Sequence, residues 1–272
     1  MRIGYDEPAM ATVALGGVTL ELDDLGRGAP VLLLHGFPTT RRLWAGVAPA
    51  LAEAGYRVLA PDLAGYGASS AAAGVSIGMA DQARWMLRLL DHLGIESAAI
   101  VAHDVGSAAA QIMLAEAPRR VRALAVLDGV YAGEWAMDAV ASIQSWDPAN
   151  AARLAPVLVR RLGKSMRDVL SAYAGEEGGL RLIRAARDLR PAETAAILDR
   201  LRGHQVPSLV LWGERDTYLP LETVARPLAD LLGAQVLLLP GGHFLPLDCP
   251  EQVASVLRDF LAGSSPQAGP ST

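Results

Sequence analysis

Short apolar runs alternate with longer amphipathic stretches along most of the chain. The short runs have the length and composition of buried strands, and the longer stretches have helical spacing. The pattern predicts eight strands, at 12–15, 18–22, 31–34, 57–60, 98–102, 121–127, 208–212 and 235–239. It also predicts core helices at 42–54, 79–93, 107–116, 221–232 and 251–261. Alternation of this kind is typical of an α/β fold, in which a mostly parallel sheet carries helices on both faces.

The alternation is interrupted between Asp128 and Ser208. The chain from 131 to 205 has helical spacing, frequent arginine and no segment with strand character. A helical insertion at this point predicts a lid over the carboxyl edge of the sheet, where ligands bind in open α/β sheets. We therefore divide the chain into a first core part (1–130), a helical lid (131–205), a second core part (206–262) and a Gly/Ser/Pro-rich tail (263–272) that is expected to be disordered.

The composition of the chain argues against several classes of function. The chain has 272 residues, 51% of them hydrophobic, and a formal net charge of −5, which argues against a nucleic-acid partner. No apolar run approaches the roughly 20 residues of a membrane helix, and residues 1–8 lack the apolar core of a signal peptide. We therefore expect a cytoplasmic protein.

The single cysteine, Cys249, cannot form an internal disulfide. By itself it cannot form a thiolate metal site either, and we expect no cofactor.

Asp104 stands at a junction with a characteristic pattern of small residues. The segment Val101-Ala102-His103-Asp104-Val105-Gly106 joins a predicted strand to a predicted helix. Small residues two positions before and after residue 104 allow the sharp turn of a nucleophile elbow. The turn presents a side chain at the helix N-terminus, where an anion is favoured. Taken alone, the segment is also consistent with Asp104 as a simple helix cap.

Two further polar residues follow later strands. Asp216 lies in Trp212-Gly213-Glu214-Arg215-Asp216, and His243 lies in Pro240-Gly241-Gly242-His243-Phe244. The chain order, elbow residue then acid then histidine, is that of a nucleophile-elbow catalytic triad. The loop His35-Gly36-Phe37-Pro38 follows the first predicted parallel strand, and we expect the N–H groups of Phe37 and Val105 to form an oxyanion hole. The glycine-rich loop 61–69 is expected to be structural.

The segments HGFP, DLAGYGASS, AHDVG, WGERD and GGHF resemble the α/β-hydrolase superfamily over essentially the whole core. An elbow that reads His-Asp-x-Gly is similar to that of the epoxide hydrolase and haloalkane dehalogenase branch, whose nucleophile is an aspartate. The resemblance implies the α/β-hydrolase fold with a helical lid, and a substrate that is a small apolar or mildly polar molecule.

An aspartate at the elbow implies different chemistry from a serine. A carboxylate is ionised near neutral pH, needs no activating base, and can displace a leaving group from a saturated carbon to form an alkyl ester. His243, oriented by Asp216, is then expected to activate the water that hydrolyses this ester. Esterase activity is disfavoured, because carboxylate attack on an ester would give an anhydride.

The leaving group distinguishes the members of this branch. Haloalkane dehalogenases usually carry Trp directly after the elbow Asp, and Asn or Glu after the oxyanion-loop Gly, where this chain has Val105 and Phe37. The Arg that follows the Asp in fluoroacetate dehalogenases is absent too. The HGFP loop instead resembles the HGxP loop of epoxide hydrolases. We therefore expect conversion of an epoxide to a diol, with dehalogenation by the same cycle as the alternative.

The resemblance to epoxide hydrolases implies two lid tyrosines over Asp104. Tyr131 and Tyr173 are the tyrosines of the inserted region, and packing is the alternative role for each. Tyr218 follows the predicted acid and is a further candidate for the pocket lining. Trp135 and Trp146 could donate indole N–H groups to a halide, although lid tryptophans more often anchor a core.

Three other features have more than one interpretation. Asp128 ends the strand before the lid and is the alternative triad acid, since some dehalogenase relatives use that position. His103, next to the elbow aspartate, is expected to fix the elbow. The lid arginines (Arg160, Arg161, Arg181, Arg184, Arg187 and Arg190) are expected to form a solvated helical surface, with contact to an anionic substrate as the alternative.

Functions outside hydrolysis stay open at this point. A biosynthetic isomerase or cyclase would use Asp104 or His243 as a base without admitting water. A ligand receptor would keep the fold without turnover, but the complete set of triad residue types disfavours it. The sequence leaves a homodimer possible and does not indicate the substrate's size or stereochemistry.

Overall fold

The computed structural model describes residues 9–264, except for the side chains of Ala9 and Ala139. Residues 1–8 and the predicted tail from 265 onward lie outside the described residues. The strands are β1 Ala9–Ala14, β2 Val18–Leu25, β3 Ala29–Leu34, β4 Tyr56–Pro61, β5 Ser70–Ala71, β6 Ala98–His103, β7 Val121–Leu127, β8 Ser208–Gly213 and β9 Val236–Leu239. The α-helices are α1 Ala48–Glu53, α2 Met79–His92, α3 Gly106–Glu116, α4 Met137–Gln144, α5 Leu154–Leu162, α6 Met166–Val169, α7 Gly175–Arg187, α8 Ala192–Ala195, α9 Leu198–Leu201, α10 Arg226–Leu232, α11 Leu245–Asp248 and α12 Pro250–Gly263.

The strands form one mostly parallel sheet in the order β1-β2-β4-β3-β6-β7-β8-β9. All neighbours from β4 to β9 along this order are parallel, whereas β2 is antiparallel to β1, β4 and β5. The predicted α/β fold is confirmed. The two-residue β5, which pairs with β2, brings the count to nine strands where eight were predicted, because so short a segment has no readable periodicity.

Alternate side chains along the strands enter two separate cores. Leu32 and Leu34 of β3 pack on the face covered by α2, α3 and the helical insertion, whereas Val31 and Leu33 pack on the face covered by α1 and α12. This follows from the two-residue period of a strand. All six residues of β6 are buried, as expected for a central parallel strand covered on both faces.

One core helix was predicted wrongly. The segment 42–54 is not continuous: a 3-10 turn at Arg41–Trp44 is followed by α1. Gly46 lies between the two, where a Cβ would stand 2.8 Å from Pro250, and Pro49 lies in the first turn of α1. A proline has no N–H to bond to the preceding turn, so a helix cannot continue through it from that turn. The apolar period that predicts one helix therefore covers the 3-10 turn and the separate helix α1.

The chain between β7 and β8 contains α4 to α9, and within residues 131–205 the β-structure is limited to an isolated bridge between Tyr131 and Glu134. We call residues 131–205 the lid. Its arginines are not simply solvated: Arg184 donates to the carbonyls of Ala71 and Val75, at 2.9 Å and 2.6 Å. Within residues 9–264, no helix is long and apolar enough to cross a bilayer.

Candidate active site

Asp104 lies at a sharp turn between β6 and α3. Its φ angle is 49°, in the left-handed region that side-chain-bearing residues rarely adopt. A Cβ at Gly106 would stand 2.3 Å from the carbonyl oxygen of His35, so the turn requires glycine two residues after the aspartate. This geometry is that of a nucleophile elbow, and backbone strain at such a position is typical of functional sites.

The carboxylate of Asp104 is bound by the two backbone N–H groups predicted to form an oxyanion hole. Phe37 N–H donates to Oδ2 at 2.8 Å, and Val105 N–H also donates to this carboxylate. A Cβ at Gly36 would stand 2.5 Å from Oδ2, so only glycine lets the loop approach this closely. The N–H pair is therefore occupied by the aspartate's own carboxylate and is not left open to a substrate carbonyl.

His243 connects Asp104 to Asp216. Its Nδ1 lies 2.9 Å from Oδ2 of Asp216, and its Nε2 lies 3.8 Å from Oδ1 of Asp104. Asp216 Oδ1 accepts hydrogen bonds from the N–H groups of Tyr218 and Leu219, at 2.7 Å and 3.1 Å. The fixed carboxylate holds the imidazole with Nδ1–H toward Asp216 and Nε2 toward Asp104. The three predicted triad residues are thus brought together.

Burial and charge shift the pKa of each triad residue. Burial raises the pKa of the Asp104 carboxyl, and the neighbouring His243 and the N–H donors only partly offset this. Burial opposes the charge of His243, but the Asp216 hydrogen bond and the Asp104 carboxylate together raise its pKa to about 9. Burial also opposes the charge of Asp216, but the hydrogen bond and charge of His243 and the N–H groups of Tyr218 and Leu219 together outweigh burial and lower the pKa of Asp216. Asp104 and Asp216, on either side of the ring, thus favour the imidazolium form of His243.

Asp128 does not occupy the position of the triad acid. Its Oδ1 accepts a hydrogen bond from Gly213 N–H at 2.7 Å, which ties the end of β7 to the end of β8. Burial raises the pKa of the Asp128 carboxyl well above its ordinary value. His243 Nδ1–H donates to Asp216 and not to Asp128, so the geometry favours Asp216 over Asp128 as the triad acid.

The lid and the core enclose a mostly apolar pocket over Asp104 and His243. From the core come Phe37, Pro38, Val105 and Phe244. The lid residues on its wall are Trp135, Ala136, Met137, Val140, Ile143, Leu158, Arg161 and Leu162. Tyr218 completes the wall, with its ring centroid 5.1 Å from that of His243. An enclosed apolar pocket over a few polar groups is typical of a small-molecule site.

Neither predicted lid tyrosine lines this pocket. The Tyr173 hydroxyl accepts a hydrogen bond from Gly67 N–H at 3.0 Å and donates to the carbonyl of Thr39 at 3.2 Å. Tyr173 is fully buried and joins the lid to two core loops, so it packs instead of facing Asp104. Tyr131 pairs with Glu134 in the isolated bridge, away from the pocket wall. The tyrosine that lines the pocket is Tyr218.

The two lid tryptophans do not offer an indole N–H to the pocket. Trp135 lines the pocket, but its Nε1–H donates to Thr194 Oγ1 at 3.0 Å. Trp146 lines a separate surface depression with Asp147 and Arg153, and its ring packs against the core. Their predicted role as halide donors is therefore wrong, and packing within the lid accounts for both.

His103 positions the loop that carries His243. Its Nε2 lies 2.7 Å from the carbonyl oxygen of His243, and the two ring centroids are 5.1 Å apart. Burial lowers the pKa of His103 to about 3, so the ring is neutral and Nε2–H is the donor. The side chain therefore joins the elbow to the His243 loop, in agreement with the expected fixing role.

The loop 61–69 supports the site from behind. Asp62 accepts hydrogen bonds from the N–H groups of Arg41 and Ala68, at 2.7 Å and 2.8 Å. His35 Nε2 accepts from Leu63 N–H at 3.0 Å, which connects this loop to the oxyanion loop. The predicted structural role fits these contacts. Within the part of the chain described, no group of three metal-ligating side chains could hold a metal ion.

The sequence interpretation did not single out Arg161 as a pocket residue. In α5 the apolar residues Leu154 and Leu158 repeat with helical spacing, and Arg161 and Leu162 follow at the next turn of the same face. A charge on the inner face of an amphipathic helix was the available signal. The expectations for the six lid arginines, a solvated surface or contact with an anionic substrate, do not distinguish Arg161 from the other five.

Comparisons with known proteins agree with this geometry. The family model of the alpha/beta hydrolase fold matches residues 29–175. The chain is 32% identical over 271 residues to the dihydrolipoyllysine-residue acetyltransferase component of the acetoin cleaving system of Pseudomonas putida, covering 93% of this chain and 70% of that protein. It is 40% identical over 113 residues to an epoxide hydrolase of Caballeronia sordidicola, covering 41% of this chain and 34% of that enzyme.

A solved structure of similar shape is haloalkane dehalogenase DbeA of Bradyrhizobium elkani, with a TM-score of 0.80 and 27% identity. The superposition covers 95% of this chain and 99% of the dehalogenase. The dehalogenase thus shares the whole architecture, and the proteins similar to this chain include enzymes of more than one activity. By its sequence match and its fold, the chain belongs to the α/β-hydrolase family.

Proposed function

We propose that the protein is a hydrolase that forms an alkyl ester on Asp104, with an epoxide as its substrate and a diol as its product. The observation that carries the proposal is the carboxylate of Asp104 bound by the Phe37 and Val105 N–H groups beside His243. A serine enzyme keeps such a pair of N–H groups for the carbonyl oxygen of its substrate. Here the aspartate itself supplies the oxygen that will become an oxyanion.

The first step forms the ester. Asp104 Oδ1, which faces His243 and not the Phe37 N–H, attacks an epoxide carbon. The carbon–oxygen bond of the ring breaks, and its electron pair moves to the ring oxygen, which takes a proton from the Tyr218 hydroxyl. Oδ2 stays on the backbone N–H groups and becomes the carbonyl oxygen of the ester.

The second step hydrolyses the ester. Alkylation removes the negative charge of Asp104, one of the causes that raise the pKa of His243, so the imidazolium gives its proton to the Tyr218 phenolate and becomes neutral. Neutral His243 takes a proton from water, and the resulting hydroxide attacks Cγ of Asp104. The tetrahedral oxyanion forms on the Phe37 and Val105 N–H groups. Its collapse expels the alkoxide, which takes the proton from His243, and the Asp104 carboxyl then gives its proton to His243 and restores the imidazolium.

The pocket suits an epoxide better than a haloalkane as the substrate that Asp104 attacks. A departing halide needs N–H donors that surround an anion, but the Trp135 indole is bonded to Thr194 and the residue after the elbow is Val105. An opening epoxide needs a proton donor, and the Tyr218 side chain lies on the pocket wall beside His243. Solved dehalogenases share the fold, so dehalogenation stays the second candidate.

Replacing Tyr218 by phenylalanine is expected to lower the rate of ester formation from an epoxide by about 10²-fold, the usual contribution of a general acid. The ring, and its contact with His243, would be retained. The measurement is stopped-flow alkylation under single-turnover conditions, with Tyr131→Phe as the matched control outside the pocket. An unchanged rate in Tyr218→Phe would remove Tyr218 from the mechanism and leave the His243 imidazolium as the proton donor.

The proposed activity is tested by product analysis of the wild-type protein with a mixed panel of epoxides and haloalkanes in ¹⁸O-labelled water. We expect diols that carry one oxygen from solvent after many turnovers, and slower or no halide release. Faster halide release would assign the chain to the dehalogenases. A rearranged product without solvent oxygen would indicate an isomerase or cyclase. The cytoplasmic location and the homodimer stay predictions of the sequence.

A further inference from the structure

Arg161 brings a positive charge to a pocket wall that is otherwise mostly apolar. It lies in the last turn of α5, directly beside Leu158 and Leu162 on the wall. Among the described residues on this wall, Arg161 is the only arginine or lysine. The other ionisable groups there are Asp104 and His243, which the proposed reaction uses, and Tyr218.

The guanidinium of Arg161 has no protein partner within residues 9–264. Other lid arginines are engaged: Arg184 donates to core carbonyls, and Arg187 donates to the carbonyl of Gln144 at 3.0 Å. Within the described residues, Arg161 forms no hydrogen bond and no ion pair. An arginine that faces a pocket without a partner retains all of its N–H donors for a ligand.

Arg161 also marks the opening of the pocket. Together with Trp135, Met137 and Tyr218 it lines a second surface depression, which continues outward to Asp138 and Thr217. Arg161 and Asp138 are both exposed, and they do not form an ion pair. A ligand with one end at Arg161 and the other at Asp104 would therefore extend from the opening to the elbow.

Electrostatics determine which end of such a ligand is charged. An anionic group next to Asp104 would be repelled by that carboxylate, whereas at Arg161 it would meet a cation with a planar set of donors suited to a carboxylate. The apolar wall between them suits a hydrocarbon segment. We infer that Arg161 is a specificity-determining residue that binds the carboxylate of an amphiphilic substrate, whose apolar segment carries the reactive carbon to Asp104.

The reactive group in this inference rests on the proposed function, but the recognition of the carboxylate does not. A binding test therefore uses an unreactive pair, octanoate and octanamide, which differ in charge and little in shape. Isothermal titration calorimetry of the wild-type protein is expected to show tighter binding of octanoate. In Arg161→Met the Kd of octanoate should rise about tenfold, as for one partly exposed charged hydrogen bond, and that of octanamide about twofold at most.

The matched control is Arg160→Met, which removes the same charge from the same helix at an exposed position outside the pocket wall. It should leave both Kd values unchanged, and added NaCl should weaken octanoate binding to the wild type and to Arg160→Met but not to Arg161→Met. Equal losses for both ligands in Arg161→Met would mean that Arg161 is structural. Equal affinity of the wild type for the two ligands would overturn the inference.

A kinetic pair separates this inference from the proposed reaction. With a medium-chain epoxyalkanoate and its primary amide, Arg161→Met should lower kcat/KM about tenfold for the carboxylate alone. Turnover of neither compound by the wild type, with the octanoate preference intact, would reject the proposed epoxide chemistry and keep the carboxylate site. Turnover of both without any preference would keep the chemistry and reject the site.

Discussion

Replacing Asp104 by asparagine is expected to abolish turnover, with a loss of at least about 10⁴-fold in kcat, because an amide oxygen is a poor nucleophile. The amide oxygen can still accept the Phe37 and Val105 hydrogen bonds, so the elbow should keep its conformation. Stability should not fall, since burial of the Asp104 charge is unfavourable in the wild type. Turnover of an epoxide and thermal unfolding are the two measurements.

A second readout of Asp104→Asn reports on electrostatics. The Asp104 carboxylate is one of the causes that raise the pKa of His243 to about 9, so this pKa should fall in the variant. Titration of the His243 ring by NMR measures the change directly. An unchanged pKa would contradict the proposed switch of His243 from imidazolium to base on alkylation. Activity within tenfold of wild type would show that Asp104 is not the nucleophile.

Replacing Asp216 by asparagine is expected to slow hydrolysis of the ester by about 10³ to 10⁴-fold, as in triads whose histidine loses its carboxylate. The amide cannot favour the Nδ1–H tautomer as the carboxylate does, so Nε2 becomes a poorer base. Alkylation should change far less, because Asp104 is intact. Rapid mixing with an epoxide should therefore give a burst of about one equivalent followed by slow release.

Asp128→Asn is the matched control for this prediction. Its amide oxygen can retain the hydrogen bond from Gly213 N–H, and it is not bonded to His243. We expect hydrolysis within about tenfold of the wild-type rate. A larger loss in Asp128→Asn than in Asp216→Asn would reverse the assignment of the triad acid.

The core of the site could be predicted from sequence because it depends on local rules. A strand, a sharp turn and a helix of small residues place Asp104 at the sheet edge. Parallel strands end at one edge, so residues that follow β8 and β9 must approach the same point. The positions of Asp216 and His243 therefore follow from chain order. The Phe37 N–H follows in the same way from the end of β3.

The sequence predicts that a helical lid is present, but it does not predict how the lid helices pack. These helices are short, and their packing angles are not encoded in the apolar pattern of any one of them. The resemblance to epoxide hydrolases places Tyr173 over Asp104, but the Tyr173 hydroxyl instead hydrogen-bonds to Gly67 and Thr39. Arg161 was grouped with exposed arginines, but it lines the pocket. The helical period shows which side chains share one face of a helix. Contacts with other elements determine which of these faces lies toward Asp104.

This division also separates two parts of the function. Backbone N–H groups and the Asp216–His243 pair, all on the core, provide the proposed chemistry. The lid provides most of the pocket wall, including Arg161, which we propose selects the substrate. Relatives with this fold include an epoxide hydrolase and a haloalkane dehalogenase, as expected when sites differ on a common fold.

The central claim, a covalent ester on Asp104, is tested most directly by intact mass spectrometry of a His243→Gln variant incubated with the epoxide panel. The variant can form the ester but lacks the base that hydrolyses it. We predict a stable adduct with the full mass of the epoxide, located by peptide mapping on Asp104 and absent from the Asp104→Asn/His243→Gln double variant. Accumulation of product without an adduct, or an adduct on another residue, would contradict the account.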